Sequence, residues 1–158
     1  MPMDFTVIQA VRQRFHGPGW EISPPDTDLD APLVGESKEY AFACPGVDSG
    51  QWALLQYQSN AVGRYGNTLR VNGVDIPGGM QPGAMSWEGN VFSQSWASHM
   101  MLVPPDTLRE KDNILFIEAS SGLDASFIID NVIMLYKTAH PVSPGDVILE
   151  PIGEGMRY

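Results

Sequence analysis

Cysteine is scarce in this chain, and two other common features are missing. Cys44 is the only cysteine among 158 residues, which excludes a disulfide within the chain. We predict that Cys44 is a small buried residue rather than a reactive thiol. No apolar run approaches the ~20 residues that a membrane-spanning helix needs, and no Asn-x-Ser/Thr glycosylation sequence occurs. With 43% hydrophobic residues, the chain can instead form a globular domain around an apolar core.

Basic residues are also few. Nine Lys and Arg stand against nineteen Asp and Glu, which gives a net charge of −10. Such a chain repels phosphate groups, so we expect neither nucleic acid nor an anionic membrane as a partner. The N-terminus lacks the basic and apolar segments of a secretory signal. We therefore expect either synthesis in the cytoplasm, with export left open, or a domain excised from a larger protein.

None of the short motifs that mark common active sites is present. The chain has no P-loop, no Gly-x-Ser-x-Gly, no His-Glu-x-x-His and no paired Cys-x-x-Cys sequence. The histidines His16, His99 and His140 do not have metal-ligand spacing. Nothing singles out two of the nineteen carboxylates as a glycosidase pair. We predict that the protein is not an enzyme.

Residues 127–136 form the most strand-like segment, and both of its faces are apolar. Alternation places the odd-numbered residues from 127 to 135 on one face and the even-numbered residues from 128 to 136 on the other. This pattern predicts a central strand. Asp130 is then a carboxylate among apolar neighbours, where an unpaired charge is costly. Its partner is an arginine (Arg12 or Arg14), a backbone N–H group or a metal ion.

Further strand segments separated by turns complete an all-β pattern. About eight short strands are expected, including residues 5–11, 39–44, 51–59, 68–72, 96–103 and 114–119. Asn72-Gly73 predicts a hairpin, because a type I′ turn needs positive φ at both positions. Residues 77–94 are a long connection in which Trp87 is either a core residue or a ligand platform. We predict one β-sandwich domain over residues 1–140 and an extended tail over residues 141–158.

Four segments, in this order, resemble the galactose-binding-like jelly roll. This fold occurs in many carbohydrate-binding modules and in the sugar-binding domain of family 2 glycoside hydrolases. The segments are Thr68-Leu69-Arg70-Val71-Asn72-Gly73, Val103-Pro104-Pro105, Asp112-Asn113-Ile114-Leu115-Phe116-Ile117 and Phe127-Ile128-Ile129-Asp130-Asn131-Val132. The resemblance covers roughly residues 50–137, with one departure at Asp112, where the family usually has glycine. It implies a jelly-roll β-sandwich and is less specific for function.

The resemblance also implies a site and a ligand. Modules of this fold stack exposed aromatic rings on sugar faces and use nearby amides and arginines to bind hydroxyl groups. The matching loop residues here are Arg64, Tyr65, Asn67, Trp87 and Asn90. Each of them also has an ordinary structural alternative, such as a core, corner or surface role. A structural calcium is common in these modules, and Asp130 occupies the position of its acidic ligand.

Two functions follow as expectations. The first is a non-catalytic, lectin-like carbohydrate-binding module with a saccharide ligand. The alternative is a structural or assembly jelly-roll protein that forms a homo-oligomer through its extended ends, residues 1–35 and 141–158.

Overall fold

Strands make up the regular structure of the described part of the chain. The computed structural model describes residues 2–17, 31–60, 67–80, 96–120 and 127–139, together with the backbone of residues 85–88 and 91–94. The strands are β1 (Met3–Gln9), β2 (Gln13–Phe15), β3 (Leu33–Gly35), β4 (Ser37–Phe42), β5 (Ala53–Asn60), β6 (Thr68–Val71), β7 (Val74–Asp75), β8 (Met85–Glu88), β9 (Val91–Gln94), β10 (Ala97–Val103), β11 (Asn113–Glu118) and β12 (Phe127–Lys137). The predicted all-β class is confirmed. Within these ranges there is no helix long and apolar enough to cross a membrane.

β12 is the central strand of a six-stranded sheet. β5 pairs with one edge of β12, and β10 pairs with the far side of β5. Along the other edge, β2 pairs with the first part of β12 and β1 with the second part, because β12 is eleven residues long. β3 pairs with β2 in parallel. β1, β2 and β3 belong to the N-terminal segment that was expected to link subunits, and here they are built into the sheet.

A second sheet contains β4, β11, β6 and β7, in that order, and is antiparallel throughout. The turn between β6 and β7 has φ values of 50° at Asn72 and 80° at Gly73, which confirms the predicted hairpin. A separate hairpin of β8 and β9 lies within residues 77–94, where the sequence predicted one long connection. Strands of four residues are too short for periodicity to reveal.

The core lies between the two packed sheets, which form a β-sandwich. Its largest fully buried side chains are Tyr57, Tyr136, Phe15, Phe127, Leu55, Leu115, Ile117, Ile129, Met134, Val71, Val103 and Val132. Cys44 is also fully buried, as predicted. Burial, and to a lesser degree the charge of Asp4, raises the pKa of the Cys44 thiol to about 12. The predicted domain boundary at residue 140 falls at the end of the described residues and stays a prediction.

Side-chain hydrogen bonds join the two sheets along one side. The Tyr40 hydroxyl of β4 donates to Gln13 Oε1 of β2. Thr6 Oγ1 of β1 donates to the carbonyl of Ala43, just after β4, at 2.7 Å. These contacts place the edge strand of the four-stranded sheet over β1 and β2.

A β-bulge in β12 changes the predicted face pattern. Alternation is regular up to Asp130, after which Asn131 adopts a φ of 49° and adds one extra residue opposite β5. The core-facing residues are therefore 127, 129, 132, 134 and 136. The central position of the strand was predicted correctly. The division of its residues between the two faces was wrong beyond residue 130, because strict alternation does not allow for the extra residue.

Candidate functional site

An open depression lies on the outer face of the four-stranded sheet. Its volume of about 480 Å³ is within the ~300–1,000 Å³ range of small-molecule sites. Its apolar floor is formed by Ile114 and Phe116, which are half-buried and alternate with core residues along β11. Its other lining residues are Glu39, Arg70, Asn72, Gly73, Arg109 and Asp112.

The register of this sheet places an aromatic ring between two opposite charges. Phe116 of β11 lies directly opposite Glu39 of β4 on one side and Arg70 of β6 on the other. Opposed residues on neighbouring antiparallel strands have Cβ atoms ~5 Å apart, so the three side chains form a continuous row. Ile114, two residues earlier on the same face, extends the apolar floor.

Asp75 orients the guanidinium of Arg70 at the edge of the depression. Arg70 Nε donates to Asp75 Oδ1 at 2.6 Å across the β6–β7 hairpin. Both side chains are exposed, so solvent screens the ion pair and it adds little to stability. A guanidinium carries five N–H donors, and one such bond orients the group without using up its capacity for a ligand.

A buried amide network anchors the other end of the depression. Asn113 is fully buried; its Oδ1 accepts from Arg109 N at 2.8 Å, and its Nδ2 donates to Arg109 O at 2.6 Å. Asn72 Nδ2 donates to Asn113 Oδ1 at 2.9 Å and to Thr107 O at 2.7 Å. Buried polar atoms are costly to leave unpaired. The network therefore ties the loop before β11 to the β6–β7 turn and fixes the backbone of Arg109 beside the depression.

The depression has nearly balanced charge on a strongly acidic protein. Its two arginines and two carboxylates cancel formally, although the chain as a whole carries −10. An apolar floor with hydrogen-bonding groups around it suits a ligand that has both an apolar face and hydroxyl groups. The arginines supply donors and the carboxylates supply acceptors.

Two of the five predicted loop residues lie in the described part of the chain. Asn67 is half-buried, and its Oδ1 accepts from Ser120 N at 2.9 Å, a contact that joins two loops. Trp87 lies on β8, in register with Phe92 of β9. Arg64, Tyr65 and Asn90 lie outside the described residues. Asn67 is not among the described residues that line the depression.

Protein groups surround the carboxylate of Asp130, the predicted calcium ligand. Asp130 Oδ2 lies 3.4 Å from Arg12 Nε, and Oδ1 accepts from Asn131 N at 2.8 Å. An arginine and a backbone N–H, two of the three partners considered from the sequence, are thus both present.

Both described contacts of the Asp130 carboxylate are N–H donors, whereas calcium is bound by oxygen atoms. Calcium takes about six to eight oxygen ligands, and the guanidinium of Arg12 disfavours a second cation beside Asp130. Across the residues that the structure describes, no group of three or more His, Cys, Asp or Glu side chains is placed to hold a metal ion. Calcium binding at Asp130 stays a prediction.

His99 and Ser59 form a polar pair on the core side of the six-stranded sheet. His99 Nε2 lies 3.0 Å from Ser59 Oγ, and the imidazole stacks on Tyr57 with ring centroids 5.0 Å apart. Burial lowers the pKa of His99 from its usual 6.5. Ser59 is fully buried and cannot reach a substrate in solution, so the pair contributes to packing. His16 follows β2, which pairs with β12 on the side away from β5 and β10. His140 lies outside the described residues.

The sequence did not single out the depression, because its lining residues come from separate segments of the chain. β6 and β11 have the alternating pattern of ordinary strands. One signal in the sequence could have indicated it. Ile114 and Phe116 are large apolar residues on the opposite face of the strand from Leu115 and Ile117, so one of these two apolar pairs had to lie outside the core.

Comparison with known protein families, with curated proteins and with solved structures finds no match for this chain. The resemblance to galactose-binding-like modules rests on the four sequence segments. The structure places these segments on β6 and its turn, at the end of β10, on β11 and on β12.

Proposed function

We propose that this protein is a non-catalytic saccharide-binding module whose ligand lies in the depression on the four-stranded sheet. The observation that carries the proposal is the row formed by Glu39, Phe116 and Arg70 on the floor of an open depression. A pyranose ring has an apolar C–H face that packs against an aromatic side chain, and hydroxyl groups that bind charged neighbours. The row supplies both kinds of contact within a single sheet.

The proposed ligand is a neutral saccharide. The balanced charge of the depression does not favour an ionised sugar, and the net charge of −10 repels an anionic one. Arg70 donates to sugar hydroxyls and Glu39 accepts from them. An open surface with a single aromatic ring is expected to bind with dissociation constants between about 1 µM and 1 mM.

The proposal includes the finer fold, a jelly roll of the galactose-binding-like kind. Two packed sheets and the Asn72-Gly73 hairpin are consistent with this arrangement. The loop residues Arg64, Tyr65, Asn67, Trp87 and Asn90 offer a second location for the same activity. The alternative function, an assembly protein, is favoured by a different feature, the exposed apolar residues of the six-stranded sheet.

A glycan screen followed by calorimetry with a soluble, monovalent saccharide tests the proposal. We expect Phe116→Ala to weaken binding about tenfold or more, because burial of a phenylalanine side chain against an apolar surface is worth about 1.5–3 kcal/mol. Arg70→Ala is expected to weaken binding as well, through lost hydrogen bonds to hydroxyl groups.

Phe5→Ala is the matched control, since Phe5 is an exposed phenylalanine on the outer face of the other sheet. It should leave the affinity unchanged. A flat response of the wild-type protein across neutral glycans contradicts the function. Binding that is lost in Tyr65→Ala or Trp87→Ala but kept in Phe116→Ala would place the ligand on the loops instead.

A further inference from the structure

Apolar side chains cover much of the outer face of the six-stranded sheet. We call this surface the apolar face. It consists of Met3, Phe5 and Val7 on β1, Trp52 just before β5, Leu54 on β5, Met100 and Leu102 on β10, and Ile133 and Leu135 on β12. In an antiparallel sheet, the outer face that meets water is usually polar. This one departs from that pattern.

The strand register makes the apolar face continuous. Leu102, Leu54, Leu135 and Phe5 are consecutive partners across β10, β5, β12 and β1, so they form one row. Met100, Gln56, Ile133 and Val7 form the next row in the same way. Neighbouring strands are ~4.8 Å apart, so each row is about 15 Å wide. The β12 bulge is what brings Ile133 and Leu135 onto this side.

The apolar face is large for the surface of a monomer. Six of its side chains are at least half exposed, from Val7 at 50% to Phe5 at 61%. Together the nine residues present roughly 700 Å² to solvent, above the ~300–600 Å² of the largest patch on a typical monomer. Each partner in an interface of standard size buries ~800 Å². The area is therefore suited to a stable protein contact.

We infer that the apolar face is the contact surface between two copies of this chain. Two protomers that each carry −10 repel one another through most of their acidic surface. The two rows contain no charged side chain. The nearest carboxylate on β12, Asp130, is already paired with Arg12. The apolar face is thus where a second copy can approach with little electrostatic cost.

Symmetry supports a second copy as the occupant. A two-fold dimer uses the same patch on both subunits, so the patch must complement itself. The two rows do so, because they are uncharged and mostly apolar, and apolar groups need no matching opposite charge. Lys137 lies beside them, opposite Met3. An anionic membrane is disfavoured by the same net charge.

The dimer has a defined geometry. Two six-stranded sheets pack face to face at ~10 Å, which gives four layers of sheet. Each four-stranded sheet then remains on the outside, with its depression facing away from the partner subunit. The inference does not depend on saccharide binding, since it concerns the opposite face of the sandwich.

The test measures the mass of the full chain in solution, with one charged substitution on each face. Val7→Glu introduces a carboxylate into the apolar face, and Val74→Glu is the matched control on the exposed β7 of the other sheet. Light scattering and sedimentation velocity, from about 1 µM to 1 mM protein, should show a dimer for the wild type and for Val74→Glu. Val7→Glu should be monomeric, with its dissociation constant raised at least a hundredfold.

A second variant tests whether loss of the dimer could result from misfolding. Leu102→Glu lies on β10, three strands away from Val7, and should also be monomeric. Circular dichroism should show native strand content in the variants that are scored. Three results overturn the inference: a wild-type monomer at every concentration, a dimer that survives both substitutions, or a monomer whose apolar face instead binds vesicles of neutral lipid.

Discussion

Phe116 shows that the sequence of a strand does not tell which of its two faces is buried. In β11, Ile114 and Phe116 alternate with Leu115 and Ile117, so both faces of the strand are apolar in the sequence. Burial separates them: Leu115 and Ile117 are almost fully buried, whereas Ile114 and Phe116 are half-buried. Which face of a strand becomes the core depends on the side where the other sheet packs. Residue chemistry alone does not contain that information.

Where a residue's role follows from its local chemistry, the sequence is a good guide. Asn72 and Gly73 were predicted to adopt positive φ, and they do, because their own steric properties decide the turn. Cys44 was predicted to be buried on the basis of its apolar character, and it is.

His99 leads to a prediction about pH. Burial lowers the pKa of His99 in the folded protein below the 6.5 of the unfolded chain. The unfolded state therefore binds more protons than the folded state once the pH falls below about 6.5. The contribution of His99 to stability is complete above that pH, and it is lost as the pH falls through the folded pKa. We expect the urea midpoint to decrease between about pH 7 and pH 5.

His99→Gln separates this effect from the titration of other groups. Glutamine keeps an amide near Ser59 Oγ but does not titrate in this range, so the variant should show a shallower dependence on pH. Parallel midpoint curves for the wild type and the variant would contradict the assignment. Carboxylates contribute equally to both proteins and cancel in the comparison.

At the scale of elements, β12 combines a correct prediction with an incorrect one. Its length, its apolar character and its central position follow from the sequence of residues 127–136. The bulge does not, because a single asparagine in the left-handed region carries no periodic signal. The consequence is large: strict alternation groups Ile133 and Leu135 with Phe127 and Ile129, whereas the bulge places them on the opposite side of the sheet, in the apolar face.

Substitution of Asn131 tests the importance of the bulge. A β-branched residue is strained at a φ of 49°, so we expect Asn131→Val to be less stable than Asn131→Gly by about 1–3 kcal/mol. Both variants lose the hydrogen bond from Asn131 Nδ2 to Gln58 Oε1, which makes glycine the matched control. Urea unfolding measures the difference. Equal stability of the two variants would mean that β12 tolerates a regular register.

The β8–β9 hairpin is another element that the sequence did not predict. The sequence of residues 77–94 is rich in glycine, proline and methionine, and it predicted a connection. Four-residue strands form there because each pairs with the other, a contact that no single segment encodes. The two roles considered for Trp87, core residue and ligand platform, both stay predictions.

The whole molecule is a sandwich with two unlike outer faces. The four-stranded sheet presents charged groups around an apolar floor, whereas the six-stranded sheet presents the apolar face. A saccharide site on one side and a subunit contact on the other are compatible, because the two surfaces do not overlap. Each proposal can therefore fail without affecting the other.

Net charge leads to a prediction for the whole molecule. Two protomers of −10 repel at low ionic strength, and salt screens this repulsion over a Debye length that shortens from about 14 Å at 0.05 M to about 4 Å at 0.5 M. We expect the dissociation constant of the dimer to fall as sodium chloride is raised over this range. Sedimentation equilibrium measures the change. A dissociation constant that rises with salt would indicate that ion pairs, rather than the apolar face, hold the subunits together.

Features that depend on local patterns can be predicted from the amino-acid sequence. These are the all-β class, most strand positions, the Asn72-Gly73 turn, the buried Cys44 and the acidic character of the molecule. The folded structure was needed to learn which face of each strand is buried and where the bulge interrupts β12. It was also needed to show that Glu39, Phe116 and Arg70 form one row. These features depend on register and sheet packing, which bring together residues far apart in the chain and so determine the neighbours of each outward side chain.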